Sequence, residues 1–234
     1  MPRTPLLLLP GLLLDRRLFR AQIEDLGELA AIAVGDLGRG RSVAEVGRSV
    51  LDQAPERFAL AGLSMGGYVA LEIMRQAPGR VLRLALLDTQ ARADGAEATA
   101  RREAQIAAAR QGGFDAVLDQ LHPQWLHPDR RGDAELRALL RAMADEFGPD
   151  GFEREMRTIM SRPDSRPSLA AIRCPTLVLC GRQDPLTTVE MHEEMAAAIP
   201  DATLVVLPRC AHLSPLERPA DVTAQLRGWL TAPG

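Results

Sequence analysis

Three residues in this sequence have the types and the order needed to make a hydroxyl react: Ser64, Asp184 and His212. A serine hydroxyl is a poor nucleophile until a base removes its proton. A histidine suits that task because its ordinary pKa lies near neutrality. An aspartate beside it would hold the imidazole in one tautomer and stabilise its charged form. The oxyanion that then develops needs two preorganised donors. The backbone N–H of Met65, directly after the serine, is one, and that of Leu12, just past Pro10-Gly11, is the natural second.

The elements around these residues must bring them together. Ser64 sits in Gly62-Leu63-Ser64-Met65-Gly66-Gly67, between the apolar run Phe58–Ala61 and a helical pattern from Tyr68 to Ala77. Strand, tight turn and helix with G-x-S-x-G at the turn is the outline of a nucleophile elbow, in which the serine takes a strained backbone and its neighbours must be small. Asp184 follows the strand Thr176–Cys180, in Gly181-Arg182-Gln183-Asp184, and His212 follows the strand Leu204–Leu207. In an open α/β sheet, reactive groups collect at the carboxyl ends of strands. Asp88, which ends the strand Val81–Leu87, is the rival acid; Asp184 is preferred because its loop lies after the penultimate strand, nearest the His212 loop. Of the other histidines, His192 reads as a surface residue of a helix. His122 and His127 read as solvent-facing or pocket-lining, and Cys210 as a packed small residue.

Composition narrows the field. The chain has 234 residues, a net charge of −3, and 28 basic residues that are all arginine, so no mechanism can use a catalytic lysine. That balance points away from nucleic acid and anionic membrane surfaces. Three cysteines without metal-like spacing argue against a disulfide framework and against zinc, and fit a reducing, cytoplasmic compartment. The run Leu6–Leu14 resembles a signal peptide but is broken by Pro10-Gly11 and reads instead as a buried strand entering a loop. No stretch has the roughly twenty apolar residues of a membrane span. No metal and no cofactor is expected.

Strands are expected at Leu6–Leu9, Ala30–Val34, Phe58–Ala61, Val81–Leu87, Thr176–Cys180 and Leu204–Leu207, with helices over Arg16–Leu29, from Ser42 to about Ala54, and from Pro219 to about Leu230. Ser42/Glu45 and Thr187/Glu190 have the spacing of capping boxes. Near-continuous apolar strands alternating with amphipathic helices imply a parallel sheet covered on both faces. Between residues 92 and 166 there is no apolar strand, only Ala- and Arg-rich helical segments. About seventy-five residues is far more than one crossover needs, so a helical insertion over the carboxyl edge of the sheet is expected, within one domain spanning 1–234. Trp125, between two His-Pro breaks, either lines a pocket there or packs the insertion on itself.

Pro10-Gly11-Leu12, the elbow Gly62–Gly67, Gly181-Arg182-Gln183-Asp184, and His212 followed by Glu217-Arg218-Pro219, in this order, resemble the α/β-hydrolase superfamily over nearly the whole chain. The likeness is strongest to small capped serine esterases, enol-lactonases and carbon–carbon bond hydrolases. It implies an α/β fold with a sheet sandwiched by helices and a helical cap at 92–166; the family's leading antiparallel strands are missing from this sequence, a departure that leaves about six parallel strands expected. It implies a Ser64–Asp184–His212 triad with Leu12 and Met65 as oxyanion donors. The family usually has His-Gly where this chain has Pro10-Gly11. The activity implied is a cytoplasmic serine hydrolase, carboxylesterase-like, acting on small, mainly apolar esters or lactones through an acyl-enzyme. The alternatives are a carbon–carbon hydrolase of meta-cleavage type, a cofactor-free perhydrolase, and a non-catalytic receptor for a small ligand on the same fold. The expected partner is a small molecule, with oligomeric state left open.

Overall fold

The apolar runs pair side by side. In the computed structural model, which describes residues 3–232, β1 (Thr4–Leu9), β2 (Ala30–Val34), β3 (Phe58–Leu63), β4 (Val81–Leu87), β5 (Thr176–Gly181) and β6 (Thr203–Leu207) form one sheet in the order β2-β1-β3-β4-β5-β6. Every pairing is parallel. The strand order reverses between β1 and β3, the switch point at which α/β sheets leave a crevice at their carboxyl ends. Leu12 and Ser64 follow these two strands.

Two-residue periodicity sends alternate side chains to opposite faces. Leu7, Leu9, Phe58, Leu60, Leu84 and Leu86 join one core, against α2 (Val43–Gln53), α3 (Met65–Gln76) and α8 (Val189–Ala198). Leu6, Leu8, Ala59, Ala61, Ala85 and Leu87 join the other, against α1 (Arg20–Leu26) and α10 (Pro219–Thr231). Strands buried on both faces explain why the sequence runs are apolar throughout rather than alternating.

Between β4 and β5 the chain forms α4 (Ala96–Ala108), α5 (Phe114–Trp125), α6 (Ala134–Met160) and the short α7 (Arg166–Leu169). Two breaks shape this segment. Gly112 at φ 87° lets the chain turn between α4 and α5, and Gly148 at φ 61°, followed by Pro149, bends α6. The segment has no core of its own. Leu136, Leu140 and Met143 join one core of the sheet, and Phe114, Phe152 and Met156 join the other.

Three local expectations are corrected. Arg16–Leu29 is not one helix: Asp15 caps a single 3-10 turn, Arg16–Phe19, before α1, which ends at Gly27. At α2 Ser42 accepts from the Glu45 N–H as expected, but the Glu45 carboxylate turns to the Arg41 N–H. At α8 the N-cap residue is Thr188, and no side-chain cap bond forms. Thr187 has been taken for another purpose, described below. A short helix, α9 (Ser214–Glu217), precedes α10.

Candidate active site

Ser64 occupies the one residue between β3 and α3, at φ 53° and ψ −115°. That conformation is strained for a residue with a Cβ, and the surroundings fix it from several directions. The Ser64 N–H donates to the Leu87 carbonyl at 3.0 Å, while the Ser64 carbonyl accepts from Gly67 N–H, Tyr68 N–H and the Thr89 hydroxyl. A Cβ on Gly62 would overlap the Gly66 carbonyl, and one on Gly66 would overlap the Leu9 carbonyl. The glycines of the motif are therefore demanded by close backbone approach. Met65 opens α3, so its N–H has no intrahelical partner.

The loops after β5 and β6, neighbours at the end of the sheet, bring Asp184 and His212 to the same place. The Ser64 hydroxyl lies 2.8 Å from His212 Nε2, and His212 Nδ1 lies 2.7 Å from Asp184 Oδ2. With the proton on Nδ1, the ring donates to Asp184 and accepts from Ser64. Asp184 also accepts from Leu186 N–H at 2.8 Å and Thr187 N–H at 3.1 Å through Oδ1, and from the Thr187 hydroxyl at 2.6 Å through Oδ2. Burial opposes ionisation of Asp184. The His212 ring and the Thr187 donors outweigh it and hold the carboxyl below its ordinary range. Burial likewise opposes the imidazolium of His212, but Asp184 beside it raises the pKa above the ordinary value.

Asp88, the rival acid, is fully buried, at φ 43°, and its two oxygens accept from Gly181 N–H at 3.0 Å and Ser214 N–H at 3.2 Å. It ties the start of the Asp184 loop to the residues after His212. Burial, then the charge of Asp184, pushes its pKa up to about 8. A second buried carboxylate, Glu217, accepts from Ala211 N–H at 2.8 Å and His127 N–H at 2.6 Å. It pins the His212 loop to the segment after α5, and the His212 N–H itself donates to the Trp125 carbonyl at 3.2 Å.

Ser64 and His212 face a cavity of about 320 Å³ shared between the sheet and the inserted helices. Leu12, Leu14 and Tyr68 line it from below, and Trp125 and Met156 from the insertion. Trp125 faces this cavity, and at 5% exposure it also packs with Leu136 and Leu140 in a core shared with the sheet. The cavity wall is not wholly apolar, as the expected mainly apolar substrate would suggest: Asp94, Arg101, Arg102, Gln105 and Gln124 also line it. At the Leu12 loop, Leu13 adopts φ 55°, and its N–H donates to Glu155 Oε2 of α6 at 2.7 Å. Burial pushes that carboxyl up to about 8.

The remaining candidates separate. His192 is fully buried, not a surface residue: Nε2 accepts from Thr89 N–H at 3.0 Å and Nδ1 donates to the Thr188 carbonyl at 2.9 Å. Burial lowers its pKa, so it serves as a neutral bracket between the loop after β4 and α8. His122 packs against Trp125, with ring centroids 4.8 Å apart, and burial pushes its pKa down to about 4. Cys210 is buried, and burial raises its pKa. Among the described residues no group of three His, Cys, Asp or Glu side chains is placed to hold a metal. No helix among them is long and apolar enough to cross a membrane.

Sequence reasoning missed Thr187, Glu155, and the linking roles of Asp88 and Glu217. Thr187 follows Asp184 by three residues, but the Glu190 behind it gave the stronger local signal.

A parallel sheet with an elbow serine at its switch point matches a known class. The chain belongs to the alpha/beta hydrolase family, whose profile matches residues 6–226. A thermophilic esterase from Thermogutta terrifontis, solved with malate bound, superposes with a TM-score of 0.90 at 33% identity, over 97% of this chain and 89% of that one. A putative carbamate hydrolase RutD of Azorhizobium caulinodans is 30% identical over 89% of this chain and 84% of its own length. A pimeloyl-(acyl-carrier protein) methyl ester esterase of Aliivibrio salmonicida is 28% identical over 72% of this chain, a match that spans 66% of the relative, just under two thirds.

Proposed function

We propose that this chain is a serine hydrolase that cleaves small carboxylic esters or lactones through an acyl-enzyme. One observation carries the reading: an unbroken relay, 2.8 Å from Ser64 Oγ to His212 Nε2 and 2.7 Å from His212 Nδ1 to Asp184 Oδ2, opening on a cavity of about 320 Å³. The esterase names of relatives support it.

In this reading His212 Nε2 takes the Ser64 proton as Oγ attacks the substrate carbonyl carbon. The carbonyl π electrons move onto oxygen, and the N–H groups of Met65 and Leu12 hold the oxyanion. As the C=O re-forms, the C–O bond to the alcohol breaks, and the alkoxide leaves with the proton from His212. Water then repeats the sequence in reverse, and the acid and Ser64 are released. Asp184 stays ionised throughout and stabilises the imidazolium. Residues 92–166 act as a cap: Trp125 and Met156 form part of the roof that sets the acyl pocket. The enzyme needs no metal or cofactor for these steps, and it works in the cytoplasm.

The test is the intact mass of the protein after a fluorophosphonate probe, with Ser64→Ala as control, followed by a pre-steady-state burst with p-nitrophenyl butyrate. A single adduct lost in Ser64→Ala and a burst equal to the enzyme concentration are expected. Labelling that persists in Ser64→Ala removes the assignment. Carbon–carbon cleavage is the second reading, favoured by the arginines on the cavity wall, since such substrates carry an acidic tail that needs a fixed cation. Efficient turnover of a dienone acid with only trace esterase activity would select it.

A further inference from the structure

The cavity wall contributed by the start of the insertion holds more cation than anion. Asp94 is a single carboxylate shared by two guanidiniums: Oδ1 accepts from Arg162 Nη2 at 2.7 Å and Oδ2 from Arg102 Nε at 2.8 Å. Arg162 is fully used. Its side chain is 4% exposed, it donates to the carbonyls of Arg92 and Ile159, and its guanidinium lies 4.3 Å over the Tyr68 ring. Arg102 is used only in part. Nε anchors it, but the remaining contact of its fork is Nη1 to the Met156 thioether at 3.5 Å, a weak acceptor. Arg101, next in line on α4, has no hydrogen bond or ion pair among the described residues, and both arginines face the same cavity as Ser64 and His212.

A guanidinium fork held at one nitrogen and open at the others is a fixed donor array for a carboxylate. With Asp94 already divided, nothing on that wall balances the second and third positive charges. We propose that the cavity binds substrate through a carboxylate: the ester or lactone cleaved at Ser64 carries a free carboxylate group, held by Arg102 and Arg101. The inference rests on the serine hydrolase reading for its chemistry but not for its binding. Arg102 is positioned by Asp94, and Asp94 in turn by Arg162 stacked on Tyr68, so the anion subsite and the helix that follows Ser64 are built as one unit. Arg101 is the exposed member and supplies the second, adaptable contact. Charge separates the carboxylate from its methyl ester at a shared chain length: methylating the carboxylate leaves the two forks without an acceptor and desolvates them for no return.

The experiment compares mono-p-nitrophenyl glutarate with its neutral methyl diester, so that leaving group and chain length are shared. The expected kcat/KM ratio, anion over neutral, is about ten- to hundredfold in the natural protein, the range of one charge-assisted hydrogen bond. Arg102→Gln and Arg101→Gln should each lower that ratio by about tenfold or more. Because Arg102→Gln also removes a partner of Asp94, Arg101→Gln carries the decision if the first variant misfolds. A second readout needs no turnover: calorimetric binding of glutarate to Ser64→Ala, which should weaken about tenfold when Arg101→Gln is added. A ratio near one in the natural protein, or ratios and glutarate affinity that ignore both arginines, would overturn the proposal. Glutarate binding that depends on Arg101 without fluorophosphonate labelling of Ser64 would keep the anion subsite and discard the hydrolase reading. Labelling with no response to either arginine would do the opposite.

Discussion

The contact between Glu155 and Leu13 gives the sharpest test of how the inserted helices reach the chemistry. Glu155 is 1% exposed and Leu13 fully buried, and the 2.7 Å bond from the Leu13 N–H crosses from the β1 loop to α6. Leu13 sits at φ 55°, a left-handed conformation that costs about 1–2 kcal/mol for a residue with a Cβ. The loop has one other tether, Leu14 N–H to the Gly11 carbonyl at 3.2 Å. Glu155→Ala leaves a buried N–H without an acceptor, a loss of about 1–3 kcal/mol, and gives the loop a reason to release its strain. The N–H of Leu12, one residue earlier, then loses its aim. If Leu12 is an oxyanion donor, kcat should fall, with about a hundred- to thousandfold as the ceiling set by losing one such donor, and KM should change little. Glu155→Gln keeps an acceptor of the same length without charge. With a carboxyl pushed up to about 8, the natural side chain is mostly neutral at pH 7, so this variant should keep kcat and lie within about 1 kcal/mol in stability. Urea midpoints together with kcat and KM on p-nitrophenyl butyrate decide the matter. An Ala variant with the expected stability loss and an unchanged kcat would refute the link to the oxyanion loop; a Gln variant as damaged as Ala would refute the acceptor argument. The pH dependence has a definite sign. The folded protein holds this proton more tightly than the unfolded chain, so stability falls as pH rises from the ordinary carboxyl range towards about 8. Arg154 opposes and Asp36 reinforces that shift, and Glu155→Gln should flatten the slope, leaving the share that Asp88 contributes.

Three further outcomes follow from the geometry. Ser64→Ala should lower ester hydrolysis by on the order of a thousandfold or more, measured as kcat, while its thermal midpoint stays near the natural one because alanine keeps the Cβ and the same strained backbone; near-native turnover would remove Ser64 from the reaction. Activity should rise with pH through a single group whose pKa lies above the ordinary histidine value, as Asp184 beside His212 requires, and a flat rate between about pH 5 and 8 would contradict His212 as base. Trp125→Ala should do two things at once, lowering stability by about 3–5 kcal/mol in urea unfolding and shifting the preferred acyl length, since the ring is both packed and cavity-lining; an effect on one without the other would assign it to a single role.

The sheet was legible because its signals are local. Apolar runs of four to seven residues between turns mark β1 to β6 to within two residues of their observed ends. The juxtaposition of Ser64, Asp184 and His212 was legible for a related reason: each follows a strand, and the parallel order places the ends of β3, β5 and β6 on one edge. What holds them was not legible. Thr187 donates to Asp184 instead of capping α8, and sequence spacing alone does not separate those uses. His192 lies in a helix with a polar pattern, and only the fold reveals that it faces the loop after β4. Glu155 and Leu13 are 142 positions apart, and Arg102 and Asp94 gain meaning only once α4 closes over Ser64. Non-local polar contacts leave no periodicity, so a reading built on periodicity passes over them.

The two acids differ in their contacts as well as in chain order. Asp88 and Asp184 both end at the carboxyl edge, and both are buried. Asp88 already spends an oxygen on each of Gly181 N–H and Ser214 N–H, which join the loops on either side of His212. Asp184 keeps Oδ2 for the imidazole and has three local donors to hold its charge. Two carboxylates this close do not both ionise easily, and the one with more donors wins the charge. Asp184 therefore stays ionised and Asp88 is pushed up to about 8. Asp184→Asn should then cost on the order of a thousandfold in kcat with KM little changed. Asp88→Asn turns an amide NH2 towards one of two N–H groups and should cost about 1–3 kcal/mol of stability instead, read as a lower urea midpoint. A kcat loss for Asp88→Asn as large as that for Asp184→Asn would mean that the imidazole takes its support from the end of β4.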